Sequence, residues 1–151
     1  MEKIENASID KIAPGFVLIR IYHPAEKLDN FSSLLSMPCF RSWVAGSPRQ
    51  TPRGQLLAGT NQESYWCSEP IEFSAKEGFK RNITEAIECL LHIKNEIQNL
   101  RSTGGRFEVY LQLPGCINNG DTITSTYLQI FGELGVDLLI EVFPKTKSRN
   151  A

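Results

Sequence analysis

The sequence predicts an α+β domain, a two-layer sandwich with a mostly antiparallel sheet and its helices stacked on one face. Two observations carry that expectation. Phe16–Tyr22 and Phe107–Leu113 alternate at period two, so each presents one side chain set to a core and the other away from it. Between them, Ile83, Ile87, Leu90, Ile93, Ile97 and Leu100 recur every three or four residues, the spacing of a helix with one apolar stripe.

In order along the chain, residues 1–14 read as an irregular lead-in ending at Pro14-Gly15. Phe16–Tyr22 is a strand, with Val17, Ile19 and Ile21 on one face and Phe16, Leu18, Arg20 and Tyr22 on the other. His23-Pro24 ends it, because proline lacks the N–H that a ladder needs. Ala25–Ser36 reads as a helix on the stripe Leu28, Phe31, Leu34 and Leu35, stopped by Pro38. Phe40–Ala45 is a short strand around Trp43. Residues 46–62, rich in Gly, Pro, Ser, Thr and Asn, read as a loop too long for an ordinary connection, hence mobile or functional. Glu63–Glu69 is a strand carrying Tyr65 and Trp66.

Phe79–Arg101 is the strongest helix, closed by Gly104-Gly105. Phe107–Leu113 is the half-buried strand noted above, and 114–122 is a loop. Thr124–Leu134 is a helix with Leu128, Phe131 and Leu134 inward, cappable by Asp121, Thr122 or Thr124 and closed by Gly135. Val136–Phe143 is the last strand, and 145–151 is a basic tail. The order β-α-β-β-α-β-α-β over 15–144 is that of a ferredoxin-like variant.

The 151 residues fit one domain, large enough to fold on a hydrophobic core alone. With Lys plus Arg at 16 and Asp plus Glu at 17, the net charge of −1 argues against nucleic-acid binding, which draws on a basic stripe. No apolar run is long enough to span a membrane, and residues 1–14 lack the apolar core of a secretory signal. A cytoplasmic location follows as the expectation, with Cys39, Cys67, Cys89 and Cys116 as reduced thiols.

From Phe16 to Phe143 the chain resembles the bacterial family called domain of unknown function 4279. Three pieces carry the resemblance: the stretch Pro38-Cys-Phe-Arg-Ser-Trp43-Val-Ala-Gly46-Ser-Pro48, the later Tyr65-Trp66-Cys67-Ser68, and the closing helix–glycine–strand Leu128 to Phe143. The resemblance implies a bacterial cytosolic protein and supplies no activity. Small α+β proteins of this kind often serve as immunity proteins against toxins, an analogy at the level of fold.

Chemistry is sparse. Cys89 and His92 share a helix face with Glu85, Glu88 and Glu96, but a closed metal site needs a second ligand cluster, and a solvated face is the simpler account. Cys39 or Cys116 could pair with His23 as a nucleophile, yet no motif surrounds either cysteine. No catalytic residue, metal or cofactor is therefore assigned. One region stands out: Arg41, Trp43, Arg49, Arg53, Tyr65 and Trp66, of residue types that dominate binding hot spots, with no acid between Arg41 and Arg53. It suggests a non-enzymatic protein-binding module, of immunity type by the same analogy of fold. The alternative is a small-molecule or anion binder, or an enzyme, with a pocket under residues 46–62. Homodimerisation through unprotected sheet edges is a further expectation.

Overall fold

The computed structural model describes residues 13–115 and 120–144. The lead-in at 1–12, Cys116, Asn119 and the tail 145–151 lie outside the described residues. In chain order the elements are β1 (Gly15–His23), α1 (Phe31–Leu35), β2 (Cys39–Trp43), β3 (Pro48–Gln50), β4 (Leu56–Thr60), β5 (Ser64–Ser68) and β6 (Ile71–Phe73), then α2 (Lys80–His92), α3 (Lys94–Ser102), β7 (Arg106–Pro114), α4 (Ser125–Leu134) and β8 (Val136–Phe143).

Six strands form one mixed sheet in the order β2-β5-β1-β7-β8, with β6 beside β5 along the same flank of β1. All pairs are antiparallel except β7–β8, where α4 makes the crossover that parallel neighbours require. This is an α+β fold with a mostly antiparallel sheet; the strand order does not show the ferredoxin-like arrangement expected from the sequence. No helix among the described residues is long and apolar enough to cross a membrane.

The helices pack on one face. Val17, Ile19 and Ile21 of β1, Trp66 of β5 and Phe107, Val109 and Leu111 of β7 form a single buried cluster with the stripe Ile83, Ile87, Leu90, Ile93, Ile97 and Leu100. Each such burial contributes about 1.5–3 kcal/mol. Asn82, buried among them, donates from Nδ2 to the Ile71 and Glu72 carbonyls and so ties α2 to β6.

The short strand β6 has no counterpart in the expected order, and three further stretches differ from expectation. The long helix is two, α2 and α3, broken at Ile93. The Ile93 N–H bonds the Leu90 carbonyl three residues back, and a turn of that kind keeps residues three apart on one face. The stripe therefore stays buried through the break. The helix expected over 25–36 shrinks to α1. The N–H groups of Ala25 and Glu26 donate instead to Nδ1 of buried His23, at 2.9 and 2.7 Å, which bends the chain away from a helix. Nε2 of that ring lies 2.9 Å from Thr103 Oγ1, so both nitrogens are engaged, and the two donors at Nδ1 place the proton on Nε2.

The third difference is the stretch 46–62, which is no loop. β3 and β4 pair as an antiparallel hairpin of their own. Thr51 N–H donates to the Gln55 carbonyl and Gly54 N–H to the Thr51 carbonyl. Pro52 presets the turn and Gly54, at φ +82°, takes the left-handed position that closes such three-residue hairpins. The base is fixed to the sheet where Gly46 N–H meets the Asn61 carbonyl at 2.8 Å and Ala45 N–H meets Ser64 Oγ at 2.9 Å. Every residue of both strands is exposed. The hairpin is thus an arm that continues the β2–β5 ribbon rather than a flap over it.

Candidate functional site

The sheet face away from the helices bears no helix among the described residues; it is open toward β2, while Leu18, Cys67 and Tyr110 at its centre are buried, and strand alternation decides what lies on it. Register places these side chains in rows. One row runs Trp43, Tyr65, Tyr22, Arg106 across β2, β5, β1 and β7. The next runs Arg41, Cys67, Arg20, Glu108 across the same four strands. A third holds Leu18 and Tyr110, backed by Leu139 of β8.

The first row is a continuous stack. Trp43 lies on Tyr65 with centroids 4.4 Å apart, Tyr65 meets Tyr22 at 5.2 Å, and the Arg106 guanidinium covers Tyr22 at 4.2 Å. Arg106 is held there by Glu63, at 3.3 Å. At the other end the Arg41 guanidinium stands 5.1 Å over Trp43. Guanidinium planes over aromatic faces are favourable and leave the N–H edges free to bind.

Arg20 anchors the middle. Its guanidinium lies 3.8 Å over the Tyr110 ring and its Nη1 is 3.4 Å from Glu108 Oε1. The Arg20 Nε is buried without a hydrogen-bond partner among the described residues. Tyr110 donates to Glu141 Oε2 at 2.7 Å. Burial, together with that hydrogen bond, pushes the Tyr110 phenol up to about 12. Burial likewise raises Tyr65, with the Cys67 thiol adding to the effect, and raises Tyr22, with Glu108 adding to it. The Cys67 thiol is raised by burial too. Burial thus keeps these phenols and this thiol protonated at neutral pH, and what the face offers to solvent is the exposed Arg41 and Arg106 with the half-buried rings of Trp43, Tyr65 and Tyr22 between them.

The residues singled out from sequence part company in the structure. Arg41, Trp43 and Tyr65 come together as described. Arg49 and Arg53 lie on the arm, Arg49 donating to the Ala58 carbonyl at 3.3 Å and Arg53 at the tip, both exposed. Trp66 faces the opposite way, fully buried in the core, with Nε1 donating to Ser32 Oγ of α1 at 3.1 Å. Adjacent strand residues point to opposite faces, so Tyr65 and Trp66 cannot share one surface. Sequence reasoning missed Tyr22, Arg20, Arg106 and Tyr110, although the alternation of their strands already put them on the face opposite Val17, Ile19 and Val109.

The cysteines and histidines expected to be unremarkable are placed as follows. Burial raises the Cys89 thiol, and the neighbouring Glu85 and Glu88 raise it further, the reverse of what a reactive thiolate needs. Among the described residues no group of three His, Cys, Asp or Glu side chains is placed to hold a metal ion. An open cleft of about 480 Å³ lies between α1 and α3, lined by Lys27, Asn30, Glu96 and Thr103 among others, on the helix side and away from the arm. No protein-family model, curated protein or solved structure matches the chain.

Proposed function

We propose that this chain is a non-enzymatic module that binds an acidic partner protein through the arm and the adjoining end of the open sheet face. The observation that carries this is the distribution of charge along one exposed ribbon. Residues 41–62 hold Arg41, Arg49 and Arg53 and not one acid. None of the three arginines makes an ion pair among the described residues. They flank the stack of Trp43 on Tyr65, and the arm adds Leu56 and Leu57, both exposed.

The physical logic is that of an interface with a few anchors. Aromatic and arginine side chains supply most of the binding energy, and unpaired surface charge steers encounter with a surface of opposite sign. An arm tied at its base by backbone hydrogen bonds offers these groups without a large ordering cost on binding. Such a module acts by covering its partner's surface, as an immunity-type protein does.

The test is affinity capture from the host's lysate with three baits: the wild-type chain, Arg49→Ala/Arg53→Ala, and Lys76→Ala/Arg81→Ala as a charge-matched control away from the arm. One stoichiometric acidic protein held by the first and third baits and lost by the second supports the proposal. Equal retention by all three baits, or none by any, contradicts it.

A further inference from the structure

We infer that the cleft between α1 and α3 binds a free basic amino acid. Its volume of about 480 Å³ falls within the roughly 300–1,000 Å³ of small-molecule sites. One wall is the chain from Glu26 to Leu34, and the other is α3 with the turn that follows it. Among the described residues four charged side chains are half-buried: Arg20, Glu63, Glu96 and Glu108. Arg20 pairs with Glu108, and Glu63 pairs with Arg106. Glu96 lines the cleft and is the one left without an ion pair or side-chain hydrogen bond among the described residues. A carboxylate partly withdrawn from water is unfavourable unless a cation meets it, so this position calls for a positive group in the cleft.

The rest of the lining completes the outline of the ligand. Glu26 and Lys27 stand side by side on the first wall, exposed, and neither makes an ion pair among the described residues. The cleft thus offers two carboxylates and one ammonium. Its complement has two positive groups and one carboxylate, as lysine, arginine and ornithine do. Lys27 takes the ligand's carboxylate, the adjacent Glu26 its α-ammonium, and Glu96 across the cleft its side-chain cation. Asn30 follows Lys27 on the first wall, and Asn99 lies three residues after Glu96 on one face of α3. Their carboxamides donate to a carboxylate and accept from an ammonium. Leu34 and Leu100 add an apolar strip for the methylene stem of a basic side chain.

The two walls are braced without a ligand. Buried His23 ties them together: its Nδ1 accepts from the N–H groups of Ala25 and Glu26, and its Nε2 donates to Thr103 Oγ1. The Thr103 hydroxyl donates in turn to the Leu100 carbonyl at 3.1 Å, so the first wall is fixed to the end of α3. A site held in shape beforehand loses little freedom when it is filled. The cleft lies on the helix side, so its ligand and an acidic partner on the arm occupy different surfaces.

Isothermal titration of the full chain with lysine, arginine and ornithine at neutral pH tests this, with leucine, glutamate and putrescine as comparisons. At least one basic amino acid should bind, and each comparison compound should bind about tenfold more weakly or worse, since each lacks a charged group that the cleft pairs or adds one that it repels. Glu96→Gln and Lys27→Ala should each weaken the binding about tenfold or more, with unchanged circular dichroism. Lys76→Ala, outside the cleft, should leave it as in the wild type. No binding of any of the three basic amino acids at millimolar concentration overturns the proposal. So does a comparison compound that binds as tightly, or wild-type affinity in a folded Glu96→Gln or Lys27→Ala protein. None of these results bears on capture of an acidic partner by the arm, which the arginine variants address separately.

Discussion

Trp43 and Tyr65 stack on the open face of the sheet with ring centroids 4.4 Å apart and planes 24° from parallel, while Trp66, the next residue along, is fully buried on the other side. Tyr65 and Trp66 are thus sequence neighbours with opposite duties. Tyr65 belongs to the surface stack, and Trp66 pins α1 to the sheet through Ser32.

The two tryptophans should therefore separate on mutation. Trp66→Ala opens a cavity in the core and is expected to cost about 3–5 kcal/mol. Trp43→Ala removes one offset aromatic pair, worth about 0.5–1.5 kcal/mol. Urea unfolding measures both. Acrylamide should quench the emission of the wild type, through Trp43, far more than that of Trp43→Ala.

The tyrosines set an alkaline limit. The Tyr110 phenol, raised by burial and by its bond to Glu141, ionises in the folded protein at about 12, against about 10 in an unfolded chain. A raised phenol contributes stability that is fully present below pH 10 and is lost as the pH rises toward 12. Tyr22 and Tyr65 are shifted in the same direction. Absorbance at the phenolate band should consequently lag behind that of free tyrosine, and then rise with unfolding. Tyr110→Phe should be less stable at neutral pH, with a shallower alkaline decline.

Asp121 caps a helix from a distance. The residue before α2, Phe79, has no side-chain acceptor, and the Lys80 N–H donates instead to Asp121 Oδ2 at 3.0 Å. Its other oxygen accepts from Thr122 N–H at 2.8 Å, and these backbone donors hold the carboxyl below its ordinary value. The stability it brings is present above the ordinary carboxyl range and lost as the pH falls through its lowered value. Asp121→Ala should cost about 0.5–2 kcal/mol in thermal or urea unfolding, and Asp121→Asn, which keeps an acceptor, clearly less.

The arm is a separable element. Gly54 sits at φ +82°, where a β-branched side chain is strained by about 1–2 kcal/mol. Since β3 and β4 bury nothing, Gly54→Val should speed hydrogen exchange across 48–60 and leave the melting temperature of the domain unchanged. The same variant should weaken partner capture, because Arg49 and Arg53 lose their fixed placement.

What the sequence made legible follows from burial. β1 and β7 have one covered face, so their alternation is clean, and α2 and α3 kept their apolar stripe through a break that left no mark on it. The arm was missed because none of its residues is buried, which leaves no hydrophobic period to read. Its turn chemistry, Thr51-Pro-Arg-Gly54-Gln55, was the available signal. α1 was read too long because Leu28 is buried as a helical residue would be, although the imidazole of His23 had already taken the backbone donors of Ala25 and Glu26. Of the surface site, the charge and aromatic content of 41–65 were visible. Its extension to Arg20, Tyr22, Arg106 and Tyr110 depends on which strands neighbour one another, which periodicity does not encode.

The proposed binding surface is tested most directly by a hydrogen-exchange footprint of the captured complex. Protection should rise at the backbone of β2 and along 46–62, together with the end of β5 at Tyr65, and α2 should be unchanged. Protection confined to the helix layer, with the arm exchanging as in the free protein, would place the partner elsewhere and contradict the account.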